Sequence, residues 1–195
     1  MRVIIELKIQ LIYLSKKMLS EILKNNINEI KFGYLKRKHQ NKYCSLASLE
    51  NNKPIVRTVV LRDMVENYNL IFFTDKRSEK VNQFYENPNA EVLFYNHKKL
   101  LQIKVGGKIK LVQKTERINY YKQKLQGSSQ KDYTTLKKPS TPIKNPDEVE
   151  YGEDLNFAIL QLETEYIESL QLKRPNHIRC LFKKEDDWEG QFLVP

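Results

Sequence analysis

The 195-residue chain contains only two cysteines and three histidines, and both numbers restrict the chemistry that it can support. Cys44 and Cys180 lie far apart in the sequence and form no metal-ligand pattern, and the histidines are isolated from one another. Zinc sites are built from several closely spaced ligands of these two types, so we predict no metal site. So few cysteines give no indication of a structural disulfide, which favours a reducing, cytoplasmic location.

The chain also lacks a long uninterrupted hydrophobic run. Its most apolar stretch, MRVIIELKIQLIYLSKK at the N-terminus, is interrupted by Glu6 and Lys8 and is too short to span a bilayer. It has no small-residue cleavage site of a secretory signal. Apolar residues recur at helical spacing from Ile4 to Leu23, so we predict one helix, or two short ones, over residues 3 to about 31, packed on the core or against a second subunit.

Positive charge is present in excess, with 34 lysines and arginines against 24 acidic residues and a net charge of +10. Such a charge favours an anionic partner, which could be nucleic acid, a membrane surface or a phosphorylated small molecule. A lysine-rich surface that only aids solubility explains it equally well. The length and the 40% hydrophobic content suit one globular domain over residues 1–195, with an N-terminal helical segment at 1–40.

After residue 40 the hydrophobic period becomes that of strands. Eight short apolar runs predict strands at 43–50, 55–61, 69–75, 90–96, 100–112, 156–172, 177–182 and 188–194. One helix can begin after Ser78 as N-cap and must end before Pro88, a second can run from Thr115 to Gly127, and 126–154 is a long polar loop. The pair of glycines in GGK, 106–108, predicts a bulge or a kink in a long strand. We therefore predict a mainly β fold with peripheral helices, closed as a barrel of meander or Greek-key type.

No nucleophilic triad, P-loop or glycine-rich dinucleotide fingerprint is present in the sequence. Instead, Arg57 and Arg62 lie on one predicted strand, and Ser78 and Lys80 lie where the strand that carries Thr74 runs into a helix. A helix N-terminus, a lysine, a hydroxyl and a neighbouring arginine together can bind phosphate. Taken singly, an arginine paired with an acid and a capping serine explain as much. Strict alternation also places Arg57 and Arg62 on opposite faces, unless the strand bends.

Five motifs, read in order, resemble those of the FMN-binding split-barrel family of pyridoxamine 5′-phosphate oxidases and their relatives. They are PIVRTVVLR, FFTDKRSEK, NPNAEVLFY, LLQIKVGGKIKLV and the terminal NHIRCLF…W…FLVP. The resemblance covers roughly residues 40–195 and is closer to the oxidase's relatives than to the oxidase itself. It implies a split β-barrel, FMN as the cofactor, and a homodimer that binds FMN between its subunits.

The resemblance also implies roles for individual residues. Arg57 and Lys80 would hold the FMN phosphate, with Ser78 close by. The other cofactor-binding residues that it implies are Thr58, Val59, Leu61, Arg62, Phe73, Thr74, Gln102 and Arg179. His177 and Arg179 would be the catalytic residues, flanking the reacting carbon of the substrate.

Several positions depart from the oxidase pattern. Glu79 stands where the oxidase has an arginine beside the lysine, and Leu170 stands near the position of a flavin-contacting tryptophan. Pro175 occupies the position of an arginine that accompanies the histidine. The residues for the substrate phosphate are matched more loosely, by Tyr120, Lys124, and Ser128 or Ser129, with His177 on the substrate side.

Three functions follow as hypotheses. The first is an FMN-dependent oxidoreductase of the pyridoxamine/pyridoxine 5′-phosphate oxidase-like class, acting on a phosphorylated small molecule. The second is a flavin-binding protein without that activity, which the loosely matched substrate residues favour. The third is a nucleic-acid-binding barrel, suggested by the charge and eleven tyrosines, although the tyrosines do not cluster with lysines along the strands. We predict the first, with no membrane partner.

Overall fold

The computed structural model describes residues 2–125 and 127–195, without the side chains of residues 2–4, 8 and 128. The α-helices of the described chain are α1 (Arg2–Leu35), α2 (Glu79–Glu86), α3 (Thr115–Gln123) and α4 (Ser128–Lys131). Its strands are β1 (Tyr43–Glu50), β2 (Lys53–Met64), β3 (Leu70–Asp75), β4 (Asn89–Asn96), β5 (Leu101–Leu111), β6 (Phe157–Gln171), β7 (Ile178–Lys183) and β8 (Gly190–Leu193). All eight predicted strands are present, close to their predicted bounds.

The eight strands form one antiparallel sheet that closes on itself. Their order is β3-β2-β1-β4-β5-β6-β7-β8, and an additional pairing between β3 and β6 joins the first six into a ring. β6 makes this possible because it is long: its first part pairs with β3 and its last part pairs with β7. The closed ring with β7 and β8 outside it confirms the predicted mainly β, split-barrel fold.

The pairing of β5 with β6 is irregular at a pair of glycines in β5. The pairing of β5 with β6 shifts register between Gly106 and Gly107. A Cβ atom added at Gly106 would collide with the ring of Tyr166, and one at Gly107 would collide with the carbonyl oxygen of Glu163. No side chain fits at either position, and the irregularity predicted at these glycines is present, with Glu165 of β6 as the extra residue.

The N-terminal segment is a single helix whose C-terminal half packs on the barrel. Leu19, Leu23, Ile27 and Ile30 of α1 are buried in the main core together with side chains from the ring. N-terminal to these residues the helix leaves the core, and its apolar side chains are exposed. None of the described helices is long and apolar enough to cross a membrane.

A buried carboxylate anchors α1 to the end of β4. The side chain of Glu29 is 2% exposed, and its two oxygens accept hydrogen bonds of 2.5 Å from Asn96 Nδ2 and from Lys99 Nζ. Burial raises the pKa of Glu29, but the bonds from Lys99 and Asn96 outweigh it, so the pKa lies below its ordinary value. Glu29 is therefore charged in the folded protein.

The segment after β5 differs from its prediction. α3 ends at Gln123 and does not reach Gly127, because the chain turns at Lys124 to bury Leu125 in a second, smaller core. Gly127 has a φ of 58° and precedes α4. The predicted loop 126–154 contains α4, a short 3₁₀ turn and an isolated bridge between Thr135 and Tyr151.

Candidate functional site

Arg57 is held at one end of the barrel by neutral side chains. It pairs across the strands with the buried Leu46, so it lies on the inner face of β2. Its Nη1 donates to Ser48 Oγ at 2.7 Å and its Nη2 donates to Gln83 Oε1 at 2.7 Å. Burial lowers the pKa of Arg57, and the charge of Glu50 offsets part of this effect.

Lys80 faces Arg57 from the first turn of α2. Ser78 is the N-cap residue, as predicted, but its hydroxyl accepts a bond of 2.7 Å from Lys80 Nζ and makes no capping bond. Thr74 Oγ1, at the end of β3, accepts a second bond from Lys80 Nζ at 3.1 Å. Burial lowers the pKa of Lys80, and the charge of Arg57 lowers it further, against the smaller attraction of two nearby carboxylates. This pair of half-buried cations, with two hydroxyls beside it, is a donor set that suits a phosphate.

Arg62 lies in a different environment. It occupies a bulge in β2 between Leu61 and Asp63. Its guanidinium carbon lies 5.2 Å from the centre of the Phe73 ring, and its buried Nε has no hydrogen-bond partner among the described residues. Arg57 and Arg62 therefore contact different groups, and the bulge at Arg62 interrupts the alternation of the strand between them.

Aromatic side chains surround Arg62 on that side of the sheet. The Tyr121 hydroxyl donates to Asp63 Oδ2 at 3.0 Å, and burial, with the charge of Asp63, raises the pKa of Tyr121 to about 12. Burial also raises the pKa of Tyr133, while the charge of Arg62 lowers it in part. The Phe73 ring meets the Tyr121 ring edge-on at 5.5 Å between centroids. Among the described residues, Arg62 thus has a buried donor without a hydrogen-bond partner, next to aromatic side chains.

Two further predicted site residues, Gln102 and Arg179, lie on the outer face of the barrel, on either side of Leu170. Gln102, Leu170 and Arg179 are consecutive partners on β5, β6 and β7. They point away from the core, because the next residues along each strand, Ile103, Ser169 and Cys180, are buried. Arg179 donates to Glu168 Oε1 through Nη2 at 2.8 Å and Nε at 3.1 Å. Its charge is therefore already paired with a carboxylate.

Three residues of β2 that the resemblance assigns to the flavin differ in exposure. Leu61 is fully buried in the core and Val59 packs against it, so their side chains face inward. Thr58 is exposed on the outer face of the strand. Leu61 could therefore offer a ligand only its backbone.

The residues predicted for the substrate phosphate lie on α3 and α4. Lys124 Nζ lies 4.2 Å from the centre of the Tyr120 ring, so the structure brings these two side chains together. Ser129 is half-buried on α4, and the side chain of Ser128 lies outside the described residues. His177 is exposed before β7, and its Nδ1 accepts a bond of 3.1 Å from the backbone N–H of Lys173.

Two residues that hold Arg57 in place were not predicted from the sequence. Ser48 and Gln83 fix the Arg57 guanidinium, and Gln83 Nε2 also donates to Glu50 Oε1 at 2.9 Å. The available signal was a polar side chain at a buried position. Ser48 lies two residues after the buried Leu46 on β1 and therefore on the same face of the strand. Buried polar groups are almost always hydrogen-bonded, so such a position indicates a network.

Comparison with known proteins identifies the family. Residues 16–113 match the family model of the pyridoxamine 5′-phosphate oxidase, FMN-binding domain. The chain belongs to this family, and FMN is its cofactor. The matched range contains Arg57, Arg62, Lys80 and Gln102, and it ends before α3. The family match therefore covers the candidate phosphate site and leaves out the residues predicted for the substrate.

Relatives of this chain include proteins named pyridoxine/pyridoxamine 5′-phosphate oxidase. The protein of Pelagibacter ubique (strain HTCC1062) is 28% identical over 185 residues, which cover 93% of this chain and 80% of the relative. The protein of Psychrobacter cryohalolentis is 31% identical over 125 residues, 64% of this chain and 54% of the relative. The second match thus spans about half of the relative's length.

Solved structures with the same fold include two that superpose over most of the chain. A pyridoxamine 5′-phosphate oxidase-related, FMN-binding protein from Nostoc punctiforme superposes with a TM-score of 0.70 at 23% identity, covering 88% of this chain and 96% of its own. PhzG from Burkholderia lata, solved with tetrahydrophenazine-1-carboxylic acid, has a TM-score of 0.70 at 17% identity, covering 93% of each chain. At these identities the likeness extends to the fold alone.

Proposed function

We propose that the protein is an FMN-dependent oxidoreductase of the pyridoxamine/pyridoxine 5′-phosphate oxidase-like class. The observation that carries this proposal is the facing pair of Arg57 and Lys80, two half-buried cations that are met by neutral oxygens. Burial lowers the pKa of Lys80, and the repulsion between the two cations lowers it further. A phosphate dianion between them would replace that repulsion by charge-assisted hydrogen bonds.

In this proposal the protein's own residues bind and orient the cofactor. Arg57 and Lys80 would hold the FMN phosphate, with the hydroxyls of Thr74 and Ser78 beside it. Arg62, with its unpartnered Nε, would lie nearer to the ring system. Bound FMN would supply a ring that accepts a hydride, and the protein would supply position, charge and exclusion of water.

We also propose that the functional unit is a homodimer. Arg57 lies on the inner face of β2, whereas Gln102 and Arg179 lie on the outer face of other strands. A second copy would bring its Gln102 and Arg179 to the site that holds the phosphate. Apolar side chains exposed on the outer face would be covered at the same time; they include Tyr43, Val56, Leu93 and Tyr95.

The substrate would be a phosphorylated small molecule of the vitamin B6 class. Tyr120, Lys124 and Ser129 would receive its phosphate. The Nδ1 atom of His177 is an acceptor from Lys173, so the neutral imidazole carries its proton on Nε2 and can donate it to a substrate heteroatom. Arg179 would act next to the reacting carbon, its position maintained by Glu168.

The absorption spectrum of the purified protein, with assays on the same sample, tests the proposal. We expect flavin bands, release of FMN on denaturation, and peroxide formation with pyridoxamine or pyridoxine 5′-phosphate but not with dephosphorylated pyridoxamine. A colourless protein that does not take up added FMN would contradict the flavin site. Bound FMN without peroxide would support the second candidate, a flavin-binding protein without this activity, which the pairing of Arg179 with Glu168 favours.

A further inference from the structure

Glu168 on β6 holds the side chain of Arg179 in one orientation. The two residues are diagonal neighbours across β6 and β7, because Arg179 pairs with Leu170, which lies two positions after Glu168. Arg179 donates to Glu168 Oε1 through both Nε and Nη2, at 3.1 and 2.8 Å. Bonds from two nitrogens of one planar guanidinium fix the direction of the group. Nη1 takes no part in these bonds, so it can still donate to a ligand.

We propose that Glu168 is a positioning residue that sets the reduction potential of the bound flavin through Arg179. The inference rests on the proposed function, in which Arg179 lies next to the reacting carbon and therefore near the flavin ring. Reduced FMN carries negative charge on its ring, so a guanidinium at that place favours the reduced form. A carboxylate bonded to the same guanidinium offsets part of its charge and opposes that effect.

The carboxylate of Glu168 is largely shielded from water. Its side chain is 13% exposed, whereas that of Arg179 is 35% exposed. Charges that are removed from water interact more strongly than exposed charges, because less solvent and salt screens them. Glu168 therefore acts on Arg179 more strongly than a carboxylate in an exposed surface pair would.

Lys104 on β5 competes with Arg179 for the same carboxylate. Its Nζ lies 3.5 Å from Glu168 Oε2, whereas Arg179 uses Oε1. Lys104 Nζ also lies 3.8 Å from Glu91 Oε1, and the hydroxyl of Tyr166 donates to the same atom of Glu91. The sign of the charge thus alternates across four neighbouring strands, from Arg179 on β7 to Glu91 on β4. A change in the charge of Lys104 should therefore alter how far Glu168 offsets Arg179.

A second ion pair between the same two strands provides a matched control. Lys110 Nζ lies 2.8 Å from Glu163 Oε2, and the two side chains are 64% and 37% exposed. This pair joins β5 and β6, as Lys104 and Glu168 do, but it lies beyond the glycines of β5 and away from Arg179. Loss of the Glu163 charge should therefore not be felt at the flavin.

The midpoint potential of the FMN-loaded, full-length protein tests the inference. Equilibration with a reference dye in the absence of oxygen, followed by flavin absorbance, measures it. Glu168→Gln keeps an acceptor oxygen for Arg179 but removes the charge, so we expect the preference of the site for reduced over oxidised FMN to rise about tenfold, which is about 30 mV for two electrons. Lys104→Gln removes a cation and should lower this preference about threefold. Glu163→Gln should leave it within about 1.5-fold.

Glu168→Ala separates the position of Arg179 from its charge. This variant removes the acceptor as well as the charge, so Arg179 would no longer be held near the ring, and the preference for reduced FMN should rise by less than about threefold. A residue that only supports the fold would change the affinities for oxidised and reduced FMN alike and leave the potential where it is. If the Glu168 variants fail to fold, the sign of the shift in Lys104→Gln still decides.

Three results would overturn the inference. They are an unchanged potential in Glu168→Gln, a potential that does not fall in Lys104→Gln, and equal shifts in Glu168→Gln and Glu168→Ala. Peroxide formation plays no part in the measurement. A protein that binds FMN but does not oxidise a vitamin B6 phosphate would therefore contradict the proposed function, while its potentials would still decide the role of Glu168.

Discussion

At the residue scale, Arg57 is the side chain on which the proposed phosphate site depends most. Arg57→Ala should weaken FMN binding by about 2–5 kcal/mol, roughly 30-fold to several thousandfold, because a charged partner would be lost from a half-buried site. Riboflavin, which lacks the phosphate, should bind the variant and the wild type alike. Quenching of flavin fluorescence measures both affinities. Arg37→Ala, at an exposed arginine, is the control; equal losses for FMN and riboflavin would show that Arg57 supports the fold and not the phosphate.

The buried Glu29 makes stability depend on pH. Its pKa in the folded protein lies below the ordinary value, so its contribution is complete above the unfolded pKa and is lost as the pH falls through the folded pKa. Glu29→Gln should lower the free energy of unfolding at pH 7 by about 1–3 kcal/mol and flatten its decline in acid. Urea unfolding at pH 7 and pH 4 measures this. The exposed Glu153→Gln is the control, and an unchanged slope in Glu29→Gln would contradict the assignment.

At the scale of elements, Arg77 connects the start of α2 to the segment between α3 and β6. Its Nη2 donates to Thr135 O at 2.8 Å, its Nη1 donates to Leu136 O at 3.1 Å, and Asp75 Oδ2 accepts from Nη2 at 2.7 Å. The turn that carries the candidate phosphate residues is thereby tied to the segment that carries Tyr133. We infer that the hydrogen bonds of Arg77 hold these two parts of the chain together.

Removing the Arg77 side chain should increase local opening of the segment between α3 and β6. Arg77→Ala should raise the rate of cleavage near Lys137 and Lys138 about tenfold, since proteolysis follows the population of locally opened chain. A protease of broad specificity, with cleavage sites identified by mass spectrometry, measures the rate. Glu79→Ala, at an exposed position two residues later, should cleave like the wild type. Equal rates for all three proteins would mean that other contacts hold the segment.

At the scale of the whole molecule, the proposed shared site predicts complementation between defective copies. Arg57→Ala and Arg179→Ala should each bind FMN weakly alone. In a mixed two-fold dimer one site would lack both arginines and the other would have both, so an equal mixture should regain about a quarter of the wild-type sites. Titration of tightly bound FMN after subunit exchange measures this. No recovery, although mixed dimers form, would place both arginines in the site of a single chain.

The strands and the candidate phosphate residues could be predicted from the sequence because their signals are local. Alternation of side chains along a strand depends only on neighbouring residues, and this is why the eight strands lie close to their predicted bounds. The capping position of Ser78 and the two glycines of β5 are local in the same way. The family resemblance added the cofactor, which the comparison with known proteins supports.

Contacts between distant segments followed only from the folded structure. The support of Arg57 by Ser48 and Gln83, and the pairing of Arg179 with Glu168, depend on strand register and on where α2 packs. Register is a property of two strands at once, so it cannot be read from either strand alone. The prediction that α3 runs to Gly127 was wrong for the same reason. The helix ends at Gln123 because Leu125 is buried in the second core.

The helix α1 shows both kinds of information. Helical periodicity is local, so the helix was predicted from its apolar residues between Ile4 and Leu23. Of these, Leu7, Leu11, Leu14 and Met18 are exposed, and the side chains that pack on the barrel are Leu19, Leu23, Ile27 and Ile30. Which apolar side chains are buried depends on where the barrel lies along the helix, and that arises from the packing of α1 against strands far away in sequence. The sequence therefore specified the helix, the strands and the cations of the site, whereas the assembled barrel specified their partners and left the N-terminal half of α1 exposed.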